Sequence, residues 1–305
     1  MFVDLLMIAA GLAILLVGGE FLVRGAVALS LRLGISPLVV GLTVVAFGTS
    51  APEMIVSVSA ALRGATDLAM GNVVGSNIAN VLVILGISAL IAPIYTRAVD
   101  LRESWWIMMG ASVLLIALAL MGPLGQVQGL ILLAAMGLTL WRQLSTAKED
   151  DAGVTDQREP WPKTIIWLVA GLVALPVGAH LLVTGATDIA RNLGVSEAVI
   201  GLTLVAIGTS LPELAASVVA ALRGRPELAL GNVVGSNIFN ILMILGITAL
   251  IKPLPVPAQM LRLDLWVMLA AALILWPFLL RGIRITRGAG AAMVAAYAAY
   301  VWVLL

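Results

Sequence analysis

Two glutamates stand out from their surroundings. Glu53 and Glu213 each lie inside an apolar run, ten residues before an arginine, Arg63 and Arg223. At the helical rise that separation is about 15 Å, half of a hydrocarbon core about 30 Å thick. A carboxylate at such depth is costly unless partnered, and it usually marks an ion or proton path. The bland reading is a buried ion pair, but no Lys or Arg lies at comparable depth.

Each glutamate follows a helix breaker. The two segments read Gly48-Thr49-Ser50-Ala51-Pro52-Glu53 and Gly208-Thr209-Ser210-Leu211-Pro212-Glu213. Proline lacks an N–H, and its ring clashes with the carbonyl four residues back, here that of Gly48 or Gly208. In lipid a freed carbonyl must line a cavity or meet a cation. Thr49 and Glu53 share a face at i,i+4 if the turn stays near-helical. A plain proline kink is common, but this one occurs twice, each time beside a mid-membrane glutamate.

The next run in each case reads Gly71-Asn72-Val73-Val74-Gly75-Ser76-Asn77-Ile78-Ala79-Asn80 and Gly231-Asn232-Val233-Val234-Gly235-Ser236-Asn237-Ile238-Phe239-Asn240. Gly71 and Gly75 form a GxxxG face that admits a close helix. Ser76 and Asn80, and likewise Ser236 and Asn240, project together and are favoured as ligands. Asn72, Asn77, Asn232 and Asn237 are read as interhelical hydrogen-bonding groups.

The donors are therefore two carboxylates, four serines (Ser50, Ser76, Ser210, Ser236), two threonines (Thr49, Thr209), two amide oxygens and loosened carbonyls. Cysteine is absent and His180 is the single histidine. An all-oxygen set suits hard cations such as Ca²⁺ or Na⁺. Two carboxylates balance one Ca²⁺. When Ca²⁺ leaves, monovalent cations or protons must replace its charge, and one site with rival occupants is the minimum an exchanger needs.

These residues need elements to hold them in lipid. Of 305 residues, 62% are hydrophobic and 11% charged, against about 25% charged in soluble domains, and the mean hydropathy is +1.12. That excludes a soluble enzyme, a disordered chain and a nucleic-acid binder. The apolar runs predict ten helices at 3–23, 35–62, 68–91, 104–121, 125–143, 163–184, 195–222, 228–251, 264–280 and 288–305. The apolar start has no preceding positive segment and reads as a retained first span rather than a signal peptide.

A shift of 160 residues lays Gly41–Ile91 on Gly201–Ile251 without a gap, with 36 identities in 51 positions. Each unit holds five spans, so the second copy enters the membrane from the opposite face, the inverted repeat of secondary transporters. The expected fold is an all-α membrane protein of ten transmembrane helices in two inverted five-helix repeats, with broken helices at the ion site. The units are 1–144 and 163–305, and residues 145–162 read as a solvated cytoplasmic linker. With both termini outside, 13 of the 17 Lys and Arg fall in inside loops, as the positive-inside rule requires.

The paired motifs, GTSAPE with GSNIAN and GTSLPE with GSNIFN, resemble those of the cation/Ca²⁺ exchanger superfamily, specifically its prokaryotic Na⁺/Ca²⁺ branch. The resemblance covers nearly the whole chain. It implies calcium extrusion driven by sodium influx through alternating access, and hence a protein that is not an enzyme. Its cations are Ca²⁺ and Na⁺ as transported ions, with no cofactor. It assigns ligation to Glu53, Glu213, Thr49, Thr209, Ser50, Ser210, Ser76, Ser236, Asn80 and Asn240, and suggests backbone carbonyls from Ala46 and Ala206. It also implies that the helices near 3–23 and 163–184 slide across the rest. Some relatives carry Asp where this chain has Asn240, which leaves one fewer titratable group. H⁺/Ca²⁺ or K⁺-dependent exchange on the same fold is the alternative. A passive channel would more naturally show pore loops from several subunits. A serine hydrolase would need a base beside its nucleophile.

The expected partners are membrane lipid and small cations, with no nucleic acid and no obligatory protein partner. The expected location is a prokaryotic inner membrane. His180 aligns with Glu20 and is read as a packed or interfacial residue near a helix end rather than a proton relay. Glu20 and Arg24 should pair at i,i+4. Trp105, Trp106, Trp161 and Trp302 read as interfacial anchors. Arg281, Arg284 and Arg287 most simply obey the positive-inside rule, and specific lipid binding is the lesser reading.

Overall fold

A computed structural model describes residues 1–96, 100–146, 159–194 and 206–304. The described residues are helical and contain no β-strand, only two isolated bridges, Ile94 with Ile285 and Leu124 with Leu254. In chain order the helices are α1 (Phe2–Leu33), α2 (Pro37–Thr49), α3 (Ala51–Leu62), α4 (Thr66–Ile91), α5 (Arg102–Leu120), α6 (Gln126–Thr146), α7 (Trp161–Asn192), α8 (Ala206–Thr209), α9 (Leu211–Leu222), α10 (Pro226–Ile251), α11 (Met260–Arg281) and α12 (Arg287–Leu304). Among the described residues eight helices are long and apolar enough to cross a membrane, and α2 with α3 forms a ninth span bent by 44°. The predicted span at 195–222 lies partly outside the described residues; α8 and α9 carry its remainder. Most of the 145–162 linker lies outside them too.

The sequence breaks appear where proline dictates. α2 ends at Thr49 and α3 starts at Ala51, so Pro52 occupies the first turn of a new helix. There its missing N–H costs nothing. Pro212 does the same in α9. Among the described residues four short π-helical stretches, Gly41–Val45, Asn80–Leu85, Phe239–Ile244 and Met260–Asp264, widen the helices locally. Such bulges concentrate at functional positions, and two of them coincide with Asn80 and Asn240.

α1 and α7 are each 32 residues long, some ten residues beyond the lengths predicted from charge. Arg24 had marked an end, but α1 continues past it to Leu33 with Arg32 in its last turn, and both arginines lean onto aromatic rings. The Arg24 guanidinium is 6.0 Å from the Trp167 ring centre and that of Arg32 is 5.1 Å from Trp161. Long basic side chains extend toward the interface in this way without ending a helix.

The two long helices pack together through glycines spaced by seven. Gly11, Gly18 and Gly25 of α1 face α7, and Gly171, Gly178 and Gly185 of α7 face α1. A Cβ at Gly25 would fall 2.7 Å from the Leu168 nitrogen, and one at Gly185 2.5 Å from the Asp4 oxygen. Inside lipid, where helices gain little from the hydrophobic effect, small residues of this kind let backbones meet and gain dispersion contact. The GxxxG approach predicted for α4 is seen in its counterpart: a Cβ added at Gly231 or Gly235 of α10 would fall 3.0 Å from Leu38 O or 2.6 Å from Leu42 O. For Gly71 and Gly75, the equivalent packing surface lies mostly outside the described residues.

Candidate functional site

Glu53 and Glu213 sit in the first turns of α3 and α9 and are each 1% exposed. A helix N-terminus carries partial positive charge and favours a carboxylate there. The breaks before proline therefore do two things: they open the backbone and they place each carboxylate at a favourable helix end. Among the described residues no cation pairs with either glutamate.

The two segments meet through crossed hydrogen bonds. Ser50 donates to Glu213 Oε1 at 3.0 Å, and Ser210 donates to Glu53 Oε1 at 3.2 Å. Each carboxylate is thus held by the serine three residues before the other. This brings Glu53, Ser50, Glu213 and Ser210 together, as the sequence required.

The asparagines set the frame. Asn72 donates to Glu53 O at 3.2 Å and to Ser57 Oγ at 2.9 Å; Asn232 repeats this with Glu213 O at 3.3 Å and Ser217 Oγ at 3.0 Å. Asn232 also accepts from Thr49 at 3.0 Å. Asn80 donates to Asn237 Oδ1 at 2.9 Å, and Asn240 to Asn77 Oδ1 at 3.2 Å. Nearly every bond here has a counterpart 160 residues along. The four asparagines read as structural do hold backbone and neighbours, and two of them fix the amides of Asn80 and Asn240.

Several buried polar atoms have no hydrogen-bond partner among the described residues, and those on the motifs are Glu53 Oε2, Glu213 Oε2, Asn80 Oδ1, Asn240 Oδ1 and Ser236 Oγ. Buried polar atoms are nearly always satisfied, and an orphan acceptor costs about 1–3 kcal/mol. Five orphans fall on residues of the two matching motifs and make them an oxygen-rich set. Ser76 is also buried. Thr49 approaches the Ala46 carbonyl at 3.4 Å, and Ala206 opens α8. Among the described residues no group of three His, Cys, Asp or Glu could hold a metal ion.

Two readings need correction. His180 is not near a helix end and is not packed: it is exposed midway along α7. It lines a cavity of about 200 Å³ with Pro52, Gly208, Thr209 and Pro212, beside the site. The reason is the unexpected length of α7. Trp105 is not an anchor at the interface: it is 2% exposed and donates to the Ala272 carbonyl at 2.9 Å. A buried indole needs such a partner. Trp106, Trp161 and Trp302 are exposed as expected.

A second cavity has a different lining. Glu20 pairs with Arg24 at 2.6 Å, as predicted, and also with Arg223 at 2.7 Å. Sequence spacing could not reveal the second bond, which ties α1 to the end of α9. These three residues and Trp167 line a cavity of about 340 Å³.

The profile of the family described as "Sodium/calcium exchanger protein" matches residues 3–145 and 163–305. The chain belongs to the sodium/calcium exchanger family. It is 38% identical to CaxA of Alkalimonas amylolytica over 100% of this chain and 99% of that one. It is 35% identical to the sodium/calcium exchanger MaX1 of Methanosarcina acetivorans, over 99% of this chain and 98% of that one. A solved structure of the sodium-calcium exchanger NCX_Mj, soaked with zero Na⁺ and Ca²⁺, superposes with a TM-score of 0.88 at 31% identity, covering 100% of this chain and 99% of the other. The exchanger is accordingly an integral membrane protein of the prokaryotic cation/Ca²⁺ branch. Ca²⁺ and Na⁺ are the family's transported ions.

Proposed function

We propose that the chain is a secondary active antiporter that exchanges Na⁺ for Ca²⁺ by alternating access at an oxygen-lined locus. The observation that carries this is the pair of buried glutamates, each with one oxygen held by the opposite segment and one oxygen without a partner. Glu53 and Glu213 supply the charge that balances one Ca²⁺. Thr49, Thr209, Ser50, Ser210, Ser76, Ser236, Asn80 and Asn240 supply neutral oxygens, with carbonyls from Ala46 and Ala206. Hard cations take six to eight such oxygens. In the absence of Ca²⁺, monovalent ions occupy the same oxygens, and the shared carboxylates couple the two fluxes.

The full architecture is ten spans in two inverted halves, 1–144 and 163–305, joined by a cytoplasmic linker at 145–162. The hydrogen bonds that recur after 160 residues support it, as do the two matches of the family profile. Both termini face outward, and the protein belongs to a prokaryotic inner membrane. α1 and α7, in contact along their glycines, slide across the rest to expose the site on alternate faces.

Vesicles loaded with sodium and diluted into sodium-free calcium medium are expected to accumulate calcium. Uptake that ignores the sodium gradient and follows a pH or potassium gradient would replace Na⁺ as the counter-ion. Uptake without any counter-ion would make the protein a channel.

The Glu20 bonds hold α1 against α9 on one side of the site. Glu20→Gln removes both. Exposed ion pairs contribute about 0.2–1 kcal/mol each, so loss of both is expected to change the exchange rate by about two- to thirtyfold, with calcium affinity at equilibrium unaltered. A loss of affinity instead would place Glu20 in the ion site.

A further inference from the structure

Six described cations on this chain, Arg24, Arg142, Lys163, Arg191, Arg223 and Arg225, form ion pairs. One basic cluster does not. Arg102, Arg281, Arg284 and Arg287 converge where α11 ends and α12 begins, and none forms an ion pair among the described residues. Arg102 and Arg287 are spent on helix-terminal carbonyls: Arg102 donates to Leu280 O at 3.2 Å, and Arg287 to Leu90 O at 3.0 Å and Ile91 O at 3.4 Å. Arg281 lies 5.2 Å from the Trp276 ring centre. Arg284 has no hydrogen-bond partner among the described residues.

Arg281 and Arg284 line a recess of about 390 Å³ with Tyr95, Thr96, Gly282 and Ile283. Its frame is rigid. Ile94 and Ile285 exchange backbone hydrogen bonds at 3.1 and 2.9 Å, and Thr96 donates to Ile283 O at 3.0 Å. Tyr95, Trp276 and Ile283 are all exposed around it. The recess thus combines two exposed guanidiniums and a phenol with an apolar rim.

The molecule contains its own control. The bridge of Leu124 with Leu254 occupies the position reached from Ile94 and Ile285 by the 160-residue shift, within one residue. There, counting from the bridge, Leu120 and Pro123 stand where Arg281 and Arg284 do, and Pro255 and Val256 replace Tyr95 and Thr96. The same backbone feature forms without any charge, so the arginines are not needed to build it.

We propose that this recess binds the phosphate of an anionic lipid headgroup. Paired guanidiniums match phosphate oxygens in geometry and charge, and basic pockets between membrane helices take such headgroups. The exposed Trp276 and Ile283 give the acyl chains a surface beside the phosphate, which favours lipid over soluble phosphate.

The test is native mass spectrometry of the full-length protein in detergent, with phosphatidylglycerol, phosphatidylcholine or inorganic phosphate added. Wild type is expected to retain phosphatidylglycerol over phosphatidylcholine. Arg281→Gln with Arg284→Gln should weaken retention about fivefold per arginine removed. The double Lys variant, which keeps the positive charge that sets orientation, should retain part of it, and an unchanged melting temperature shows that the Gln variant is folded. Inorganic phosphate that binds wild type and is lost from the Gln variant supports the recess and assigns it a soluble occupant. Equal retention of both lipids, or equal phosphatidylglycerol retention by wild type and the Gln variant, overturns the proposal. None of these readouts involves transport, so the result is independent of the proposed ion exchange.

Discussion

Glu53→Gln is expected to lower calcium transport by at least about a hundredfold, and Glu213→Gln to match it. Groups that merely support a metal ligand already cost about 10–100-fold when replaced, and these two carboxylates are proposed as ligands themselves. The amide keeps the volume and can still accept from Ser210 or Ser50, so the bonds across the site survive. What changes is charge: two negative groups become one, and a divalent ion is no longer balanced. The same substitution should have an opposite effect on the protein without calcium. Removing an uncompensated buried charge relieves its desolvation cost, so each Gln variant is expected to melt at or above the temperature of wild type in cation-free detergent. Calcium should then raise the melting temperature of wild type alone, since only a species that binds is stabilised. A normal calcium-induced rise in either variant would remove that glutamate from the site.

Gly11→Ala and Gly178→Ala are expected to damage the protein strongly away from the site. A Cβ at Gly11 would fall 2.7 Å from Gly178 O and Leu182 N, and one at Gly178 would fall 2.9 Å from Gly11 O and Leu15 N. These are backbone atoms and cannot rotate away, so α1 and α7 must separate. Overpacking of this kind costs about 1–3 kcal/mol. Both substitutions strain one contact, so the double variant should lose less than the sum. Gly137→Ala on α6 is the control: nothing lies within 4 Å of its added Cβ, and the change from glycine inside a helix is expected to stabilise by about 0.5–1 kcal/mol. Thermal melts in detergent measure all three. If Gly11→Ala behaves like Gly137→Ala, the close approach of the two helices is wrong.

The residues that could hold an ion were legible because lipid makes them expensive. A carboxylate, a proline and a pair of hydroxyls inside an apolar run each demand a reason, and repetition after 160 residues multiplies the demand. The same logic located the helix breaks. It failed where charge was taken as an end marker: Arg24 looked like a boundary, yet α1 runs past it to Leu33 because its side chain pairs with Glu20 and leans on the Trp167 ring. That error also displaced His180, whose place midway along α7 depends on where α7 stops. The π-helical stretches at Asn80 and Phe239 have no sequence signature, because they answer to packing among neighbouring helices. The bond between Arg223 and Glu20 joins residues 203 apart and belongs to tertiary structure alone. The glycine spacing in α1 and α7 was visible in principle, as a seven-residue period on two aligned segments, but it needed a partner surface to acquire meaning.

The crossed serines have a consequence for how the protein is assembled. Because each carboxylate takes its hydroxyl from the far segment, neither half owns a complete set of oxygens. Expressed as two separate polypeptides, the halves should ignore calcium singly and respond to it only after recombination.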